Sequence, residues 1–135
     1  MKFEESPYFD SIKHTPLKMD YGMYYLCDDF VIGELNEGIH FDTKKTNRIG
    51  KKIIDHYGTH PKICLISNRI NSYSVDPQNW KHVMEIYPNI LKASCIVSYS
   101  KLSQFNADLE KRFFTDSIMK FDTLAEAIHW AQNLD

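Results

Sequence analysis

The sequence has few residues that interrupt regular structure, and it has no long apolar segment. Only 5 glycines and 5 prolines occur, while aromatic residues reach 13%, which excludes a disordered, collagen-like or low-complexity chain. No apolar run approaches the roughly 18 residues that a membrane span needs. The start is too polar and too acidic for a signal peptide. Since no other targeting signal is found, we expect a cytoplasmic protein.

The sequence also lacks an excess of positive charge. Lysine and arginine number 16 against 18 acidic residues, for a net charge of -2, so no general affinity for nucleic acid or anionic membranes is predicted. The three cysteines (Cys27, Cys64 and Cys95) form no C-x-x-C pair, which makes a disulfide framework or a structural zinc site unexpected. Each lies in an apolar stretch, and we interpret all three as buried strand residues.

The length of 135 residues predicts one domain over residues 1–135. Residues 3–22 have no clear period and contain Pro7 and Pro16, so they form an irregular arm with at most one edge strand. Residues 23–35 are typical of an antiparallel hairpin with its turn at Asp28 and Asp29. Residues 39–41 either extend a strand or lead into the next helix.

Helices and strands are then predicted to alternate. A helix over residues 43–57 begins at a cap on Asp42 or Thr43 and ends at Gly58. Further helices are predicted after Asp76, over residues 102–114, and from Thr123, with strands at 62–67, 93–99 and 117–121 between them. The predicted apolar faces of the first, second and last helices are, in order, Ile49, Ile53, Ile54 and Tyr57; Trp80, Val83, Met84 and Tyr87; and Leu124, Ala127, Ile128 and Ala131.

This order predicts an α/β fold with a single mixed sheet. The N-terminal hairpin supplies an antiparallel part, and the strands that alternate with helices supply a parallel part covered by those helices. No linker, internal repeat or second domain is indicated.

Motifs for chemistry are scarce. Neither G-x-x-x-x-G-K nor G-x-G-x-x-G occurs, and there is no G-x-S-x-G nucleophile motif. His56 and His60 have the spacing of two metal ligands on a helix, but Gly58 and Pro61 interrupt that helix. The sequence therefore predicts no catalytic residue, no cofactor and no metal.

Two segments are candidates for binding. Residues 67–76 form a long polar connection between a buried strand and a helix, where open α/β sheets bind ligands and partners; it contains Asn68, Arg69, Asn71, Ser72 and Ser74. A basic face of the first helix could dock an acidic partner or a lipid head group, although such a face also arises from simple solvation; it contains Lys44, Arg48, Lys51 and Lys52.

The chain resembles the STAS-like domains of anti-anti-sigma factors and sulfate-transporter tails, and more narrowly the small sporulation-factor-AA-like proteins. The resemblance covers about residues 20–134. It rests on the order of elements, on the ending from Phe121 to Ala131, and on the position of the polar connection. That group places a partner-facing serine or threonine there, usually after an aspartate, whereas this chain has Ser72-Tyr73-Ser74-Val75-Asp76.

The resemblance implies a non-enzymatic regulatory or adaptor domain that binds a partner protein and is switched by serine phosphorylation. By position, Ser72 and Ser74 are then the phosphoacceptor candidates. Two alternatives stay open: a domain that binds a small apolar ligand or lipid, with aromatic residues lining the pocket, and an enzyme that uses Arg69, Ser72, Ser74 or a histidine. A homodimer formed by strand pairing at the hairpin is also open.

Overall fold

The computed structural model describes residues 1–101, 105, 108 and 118–134. Its strands are β1 (His14–Met19), β2 (Gly22–Cys27), β3 (Phe30–Leu35), β4 (His40–Phe41), β5 (Ile63–Arg69), β6 (Ser74–Val75), β7 (Leu91–Ser98) and β8 (Ile118–Phe121). The described helices are a 3-10 turn (Phe3–Glu5), α1 (Tyr8–Ser11), α2 (Thr43–Tyr57), α3 (Asn79–Ile86) and α4 (Leu124–Gln132).

The main sheet is mixed, as the sequence predicted. Its six described strands lie in the order β1-β2-β3-β5-β7-β8. The pairs β1–β2 and β2–β3 are antiparallel, while β3–β5, β5–β7 and β7–β8 are parallel. The short strands β4 and β6 form a separate parallel pair. The predicted extension at residues 39–41 is therefore a strand, but one that lies outside the main sheet.

Helix α2 has the predicted bounds, because a capping residue marks its N-terminus and a glycine marks its C-terminus. The Asp42 carboxylate accepts a hydrogen bond from the Lys45 amide at 3.1 Å, which satisfies an amide that the helix leaves free. Gly58 follows the helix with a φ of 97°, a conformation that favours glycine. Ile49 and Ile53 are buried against one face of the sheet, together with Tyr24, Val31 and Leu35.

Helix α4 covers the opposite face of the sheet. Thr123 caps it through a hydrogen bond from the Glu126 amide at 3.2 Å. The four predicted positions are the ones buried: Leu124, Ala127, Ile128 and Ala131. They pack with Cys64, Ile66, Cys95 and Val97 of the central strands. The sheet is therefore covered on both faces.

The N-terminal arm is more regular than the sequence predicted. It contains the 3-10 turn, α1 and then β1, and β1 is the edge strand that Pro16 suggested. Phe3 is completely buried on the α4 side of the sheet. Thr15, Pro16 and Lys18 are exposed on β1; proline and lysine at an edge both oppose pairing with another strand.

Several element boundaries and the burial of one residue differ from the expectation. Strand β5 continues to Arg69 instead of ending at Ser67. Helix α3 begins at Asn79, because Asp76 closes a turn before it by accepting a bond from the Gln78 amide at 2.9 Å. The helical period predicts Met84 on the apolar face of this helix, but Met84 is 65% exposed. The predicted helix over residues 102–114 lies almost entirely outside the described residues.

Candidate functional site

The segment that follows β5 is held at the carboxyl end of the parallel strands. We call residues 70–78 the β5–α3 connection. Its short strand β6 pairs with β4, so that Ser74 lies opposite His40. The Ser74 amide donates to the Ile39 carbonyl oxygen at 3.1 Å, and the Asp76 amide donates to that of Phe41 at 2.9 Å. These bonds attach the connection to the residues that precede α2.

Two further bonds hold the first half of the connection. The Asn71 side-chain amide donates to the Leu35 carbonyl oxygen at 3.0 Å. The Ser72 amide donates to the Glu37 carboxylate at 2.6 Å. Asn71 and Ser72 are half-buried, so these two candidates face the solvent only in part, and both have positions set by contacts to residues 35–37.

Ser74 is the exposed candidate on this connection. Its hydroxyl oxygen lies 2.7 Å from Nδ1 of His40, and the two atoms share a hydrogen bond. Both residues are exposed. A modifying enzyme or a partner can therefore reach the Ser74 hydroxyl without unfolding of the sheet.

Asn68 is not on the connection at all. It lies within β5 and is completely buried. Its side-chain nitrogen donates to the Glu34 carboxylate at 2.6 Å and to the Met1 carbonyl oxygen at 2.9 Å, and its oxygen accepts from the Tyr99 hydroxyl at 2.6 Å. The polar side chain thus joins β3, the residue that follows β7, and the N-terminus.

Glu34 in this network gives a pH-dependent prediction. Burial raises the pKa of the Glu34 carboxyl, against the opposing effect of bonds from the Phe3 amide and Asn68. The folded state therefore binds the proton of Glu34 more tightly than the unfolded state does. As a result, the free energy of unfolding falls as the pH rises from 4.5, the usual pKa of a glutamate, through the raised pKa of the folded state. We expect urea unfolding to show this fall in the wild-type protein and to show it weakened in Glu34→Gln.

Glu85 provides the control for that experiment, because it is exposed on α3. The variant Glu85→Gln should keep the pH dependence of the wild-type protein. If Glu34→Gln and Glu85→Gln have the same profile between pH 4 and 8, Glu34 is not the group responsible.

Arg69 also lies in β5 and is only 5% exposed. Its Nε donates to the Ser67 hydroxyl at 2.9 Å, and its guanidinium carbon lies 4.8 Å from the centre of the Tyr73 ring. The Tyr73 hydroxyl and Ser67 Oγ are 3.0 Å apart and share a hydrogen bond. Sequence reasoning placed Arg69 on an exposed loop, whereas its charge is held inside, beside α2 and α3.

The predicted basic face is present on α2. Lys44, Arg48, Lys51 and Lys52 are all exposed. Arg48 forms an ion pair with Asp20 at 2.8 Å and lies over the Tyr21 ring. The first turn of α2 contains no acidic residue, although the positive end of a helix dipole favours one. The first turn of α2 directly follows β4, and β4 pairs with β6 of the connection.

The cysteines are buried, as predicted, with exposures of 0–2%. Burial, with a smaller contribution from Asp28, raises the pKa of Cys27 to about 12. A hydrogen bond with Cys64, together with burial, raises the pKa of Cys95. Such thiols are poor nucleophiles near neutral pH. In the described part of the chain, no group of three or more His, Cys, Asp or Glu residues could hold a metal ion.

Comparisons with known proteins identify the fold. No family model matches the sequence, and no curated protein matches it. A DUF3478-family protein with a SpoIIAA-like fold from Shewanella loihica PV-4 is similar in structure, with a TM-score of 0.51 and 9% identity over 89% of this chain and 93% of that one. The anti-sigma factor antagonist SpoIIAA, in its unphosphorylated form, has a TM-score of 0.52 and 14% identity over 90% of this chain and 100% of that one.

The protein therefore has a STAS-like, SpoIIAA-like fold, which confirms the fold predicted from the sequence resemblance. At these identities the comparison establishes the fold alone. None of the described helices has the length and apolar character needed to cross a membrane.

Proposed function

We propose that the protein is a non-enzymatic, cytoplasmic regulatory or adaptor domain that binds a partner protein. The contact surface would consist of the β5–α3 connection and the basic face of α2. One protein of the same fold is an anti-sigma factor antagonist whose unphosphorylated form has been solved. That likeness supports a regulatory role, and the surface chemistry of this chain supports where the partner would bind.

The single observation that carries the proposal is the position of Ser74. Its hydroxyl is exposed, and its backbone is held by the pairing of β6 with β4. A rigid, exposed polar segment at the carboxyl end of a parallel sheet loses little conformational entropy when it is bound. Such a segment is suited to repeated, specific contact with a protein surface.

The basic face of α2 indicates the charge of the partner. Lys44 lies in the first turn of the helix, where positive charge opposes the helix dipole, whereas Lys45 pairs with the capping Asp42 carboxylate at 3.9 Å. An acidic partner surface would compensate for this arrangement and would also accelerate association. We therefore propose that the partner presents acidic residues to Lys44, Arg48, Lys51 and Lys52.

Phosphorylation of Ser74 would regulate this contact. A phosphoryl group adds between one and two negative charges at neutral pH. Placed between the protein and an acidic partner, it would repel that partner and release it. Ser72 is the second phosphoacceptor candidate by position, but it is half-buried, so Ser74 is the more accessible hydroxyl.

Catalysis by the Ser74–His40 pair is disfavoured by its surroundings. Both side chains are exposed to water. A catalytic serine gains most of its rate from oriented donors in a site that excludes water. For this reason we propose a binding role for Ser74 in place of the enzymatic alternative.

Replacement of Ser74 by aspartate tests the proposal. We expect Ser74→Asp to weaken binding of the partner by about tenfold or more, since it introduces a negative charge at the contact. Wild-type protein would first be crosslinked in its own host and the joined partner identified by mass spectrometry. Affinities of the purified pair would then be measured by calorimetry, and the same spectra would map any phosphoryl group to Ser72 or Ser74.

The controls place a similar change elsewhere on the surface. Ser11→Asp introduces the same charge at an exposed serine of α1. Lys51→Glu with Lys52→Glu reverses charge on the proposed face, and Lys13→Glu with Lys18→Glu reverses it on exposed residues near β1. Equal affinities for Ser74→Asp and Ser11→Asp would overturn the assignment of the connection, and equal affinities for the two lysine pairs would overturn that of α2.

A further inference from the structure

A cavity lies between the main sheet and the helices α2 and α3. Its volume is about 90 Å³. The lining is predominantly apolar and aromatic, and includes Leu35, Ile49, Ile53, Leu65, Val83 and Tyr87. Apolar cavities are poor hosts for water and readily accept apolar groups of matching size. This space is therefore suited to the apolar part of a small molecule.

Arg69 also lines this cavity, and it is the charged residue among the described lining residues. The bond to Ser67 and the contact with Tyr73 fix the orientation of its guanidinium group. A charge that is 5% exposed acts through a medium of low dielectric constant, so an anion beside it is attracted more strongly than at the surface. The planar fork of arginine matches the two oxygens of a carboxylate.

The location of Arg69 in the sheet supports a ligand site. It is the last residue of β5, and open α/β sheets bind ligands at the carboxyl ends of their parallel strands. Tyr73, which also lines the cavity, belongs to the β5–α3 connection. The cavity thus lies directly beneath the segment that carries Ser74, on the side of the sheet opposite α4.

We propose that this cavity binds a small amphipathic carboxylate, with its apolar chain between α2 and α3 and its carboxylate at Arg69. A cavity of about 150 Å³ takes a benzene molecule, and this one is smaller. The part of the chain that it encloses is accordingly short, about four carbon atoms. This inference goes beyond partner binding, and neither proposal depends on the other.

Hexanoate and hexanamide separate the contribution of charge from that of the apolar chain. The full-length protein, labelled with ¹⁵N, would be titrated with each compound and followed by NMR. We expect hexanoate to shift the amide signals of residues 65, 69, 73 and 83, and to bind about tenfold or more tightly than hexanamide. This comparison uses the wild-type protein and so does not depend on the folding of any variant.

Three variants refine the assignment. Arg69→Met keeps the apolar stem and removes the charge, so it should bind the two compounds equally. Val83→Phe should fill the cavity and weaken both. Lys81→Met removes an exposed charge from α3 and should leave the preference for hexanoate unchanged.

Several results would overturn the proposal. One is equal affinity of the wild-type protein for hexanoate and hexanamide. Others are shifts confined to the α4 side of the sheet, or an undiminished preference for hexanoate in Arg69→Met. Absence of binding by either compound up to its solubility would also reject a carboxylate site of this size. Retention of hexanamide binding by Arg69→Met shows that the cavity is intact in that variant.

Discussion

Replacement of Asn68 by leucine is expected to lower the free energy of unfolding by about 3 kcal/mol. The Asn68 side chain is completely buried and bonds to the Glu34 carboxylate, the Met1 carbonyl oxygen and the Tyr99 hydroxyl. Leucine removes all three bonds and leaves a buried carboxylate with one donor fewer. The cost of an acceptor left without its donor is larger when that acceptor carries a charge. Urea unfolding at pH 7 measures the loss.

Asn71 provides a matched control for this experiment. It is another asparagine near the end of β5, but its side chain has a neutral partner, the Leu35 carbonyl oxygen. We expect Asn71→Leu to cost about 1 kcal/mol. The cost of Asn68→Leu should also be roughly halved in a Glu34→Gln background, because the acceptor is then neutral. Equal costs in both backgrounds would show that the charge of Glu34 does not determine the effect.

The Asn68 variants also distinguish a residue that stabilises the fold from one that binds a partner. The sequence places Asn68 and Ser74 in one polar stretch, and both were candidates for partner binding. The structure assigns Asn68 to the interior and Ser74 to the surface. We expect substitutions of Asn68 to act through stability, and substitutions of Ser74 to act on binding while leaving stability nearly unchanged.

The helices α2 and α4 could be predicted from the sequence because their signals are local. Asp42 and Gly58 delimit α2, and Thr123 begins α4. Capping residues act on amides within three positions of themselves. The buried faces follow from the helical period of the apolar residues. No information about distant parts of the chain was needed for either helix.

The end of β5 could not be predicted for the opposite reason. Asn68 and Arg69 are polar, and a polar stretch after an apolar run is typical of a loop. Their burial depends on residues that are distant in the sequence, since Glu34 is 34 positions from Asn68 and Met1 is 67 positions away. A pattern read along the chain does not contain such contacts.

The position and the charge of the cavity also could not be predicted from the sequence. The abundance of aromatic residues suggested an apolar pocket only in general terms. Its location depends on how α2 and α3 pack on the sheet, and its charge depends on the inward orientation of Arg69. The candidate site therefore has an exposed part at Ser74 and a buried part at Arg69. The sequence pattern predicted both residues in a single loop.

Removal of the Phe3 side chain is the second change for which we expect a large effect. Phe3 is completely buried, and its ring lies 4.9 Å from that of Tyr25 and 5.6 Å from that of Phe9. We expect Phe3→Ala to lower the free energy of unfolding by about 4 kcal/mol, as for other buried phenylalanines. The backbone amide of Phe3 remains available to Glu34 in this variant, so the loss measures packing, and urea unfolding at pH 7 detects it.

Phe9→Ala is the control, because Phe9 contacts the same cluster but is only half-buried. Its cost should be about half that of Phe3→Ala. Phe3 packs on the α4 side of the sheet, whereas the cavity lies on the other side. Phe3→Ala should consequently leave the preference for hexanoate over hexanamide unchanged under conditions where the protein is folded. An unfolding midpoint equal to that of the wild-type protein would show that the N-terminal arm is not part of the core.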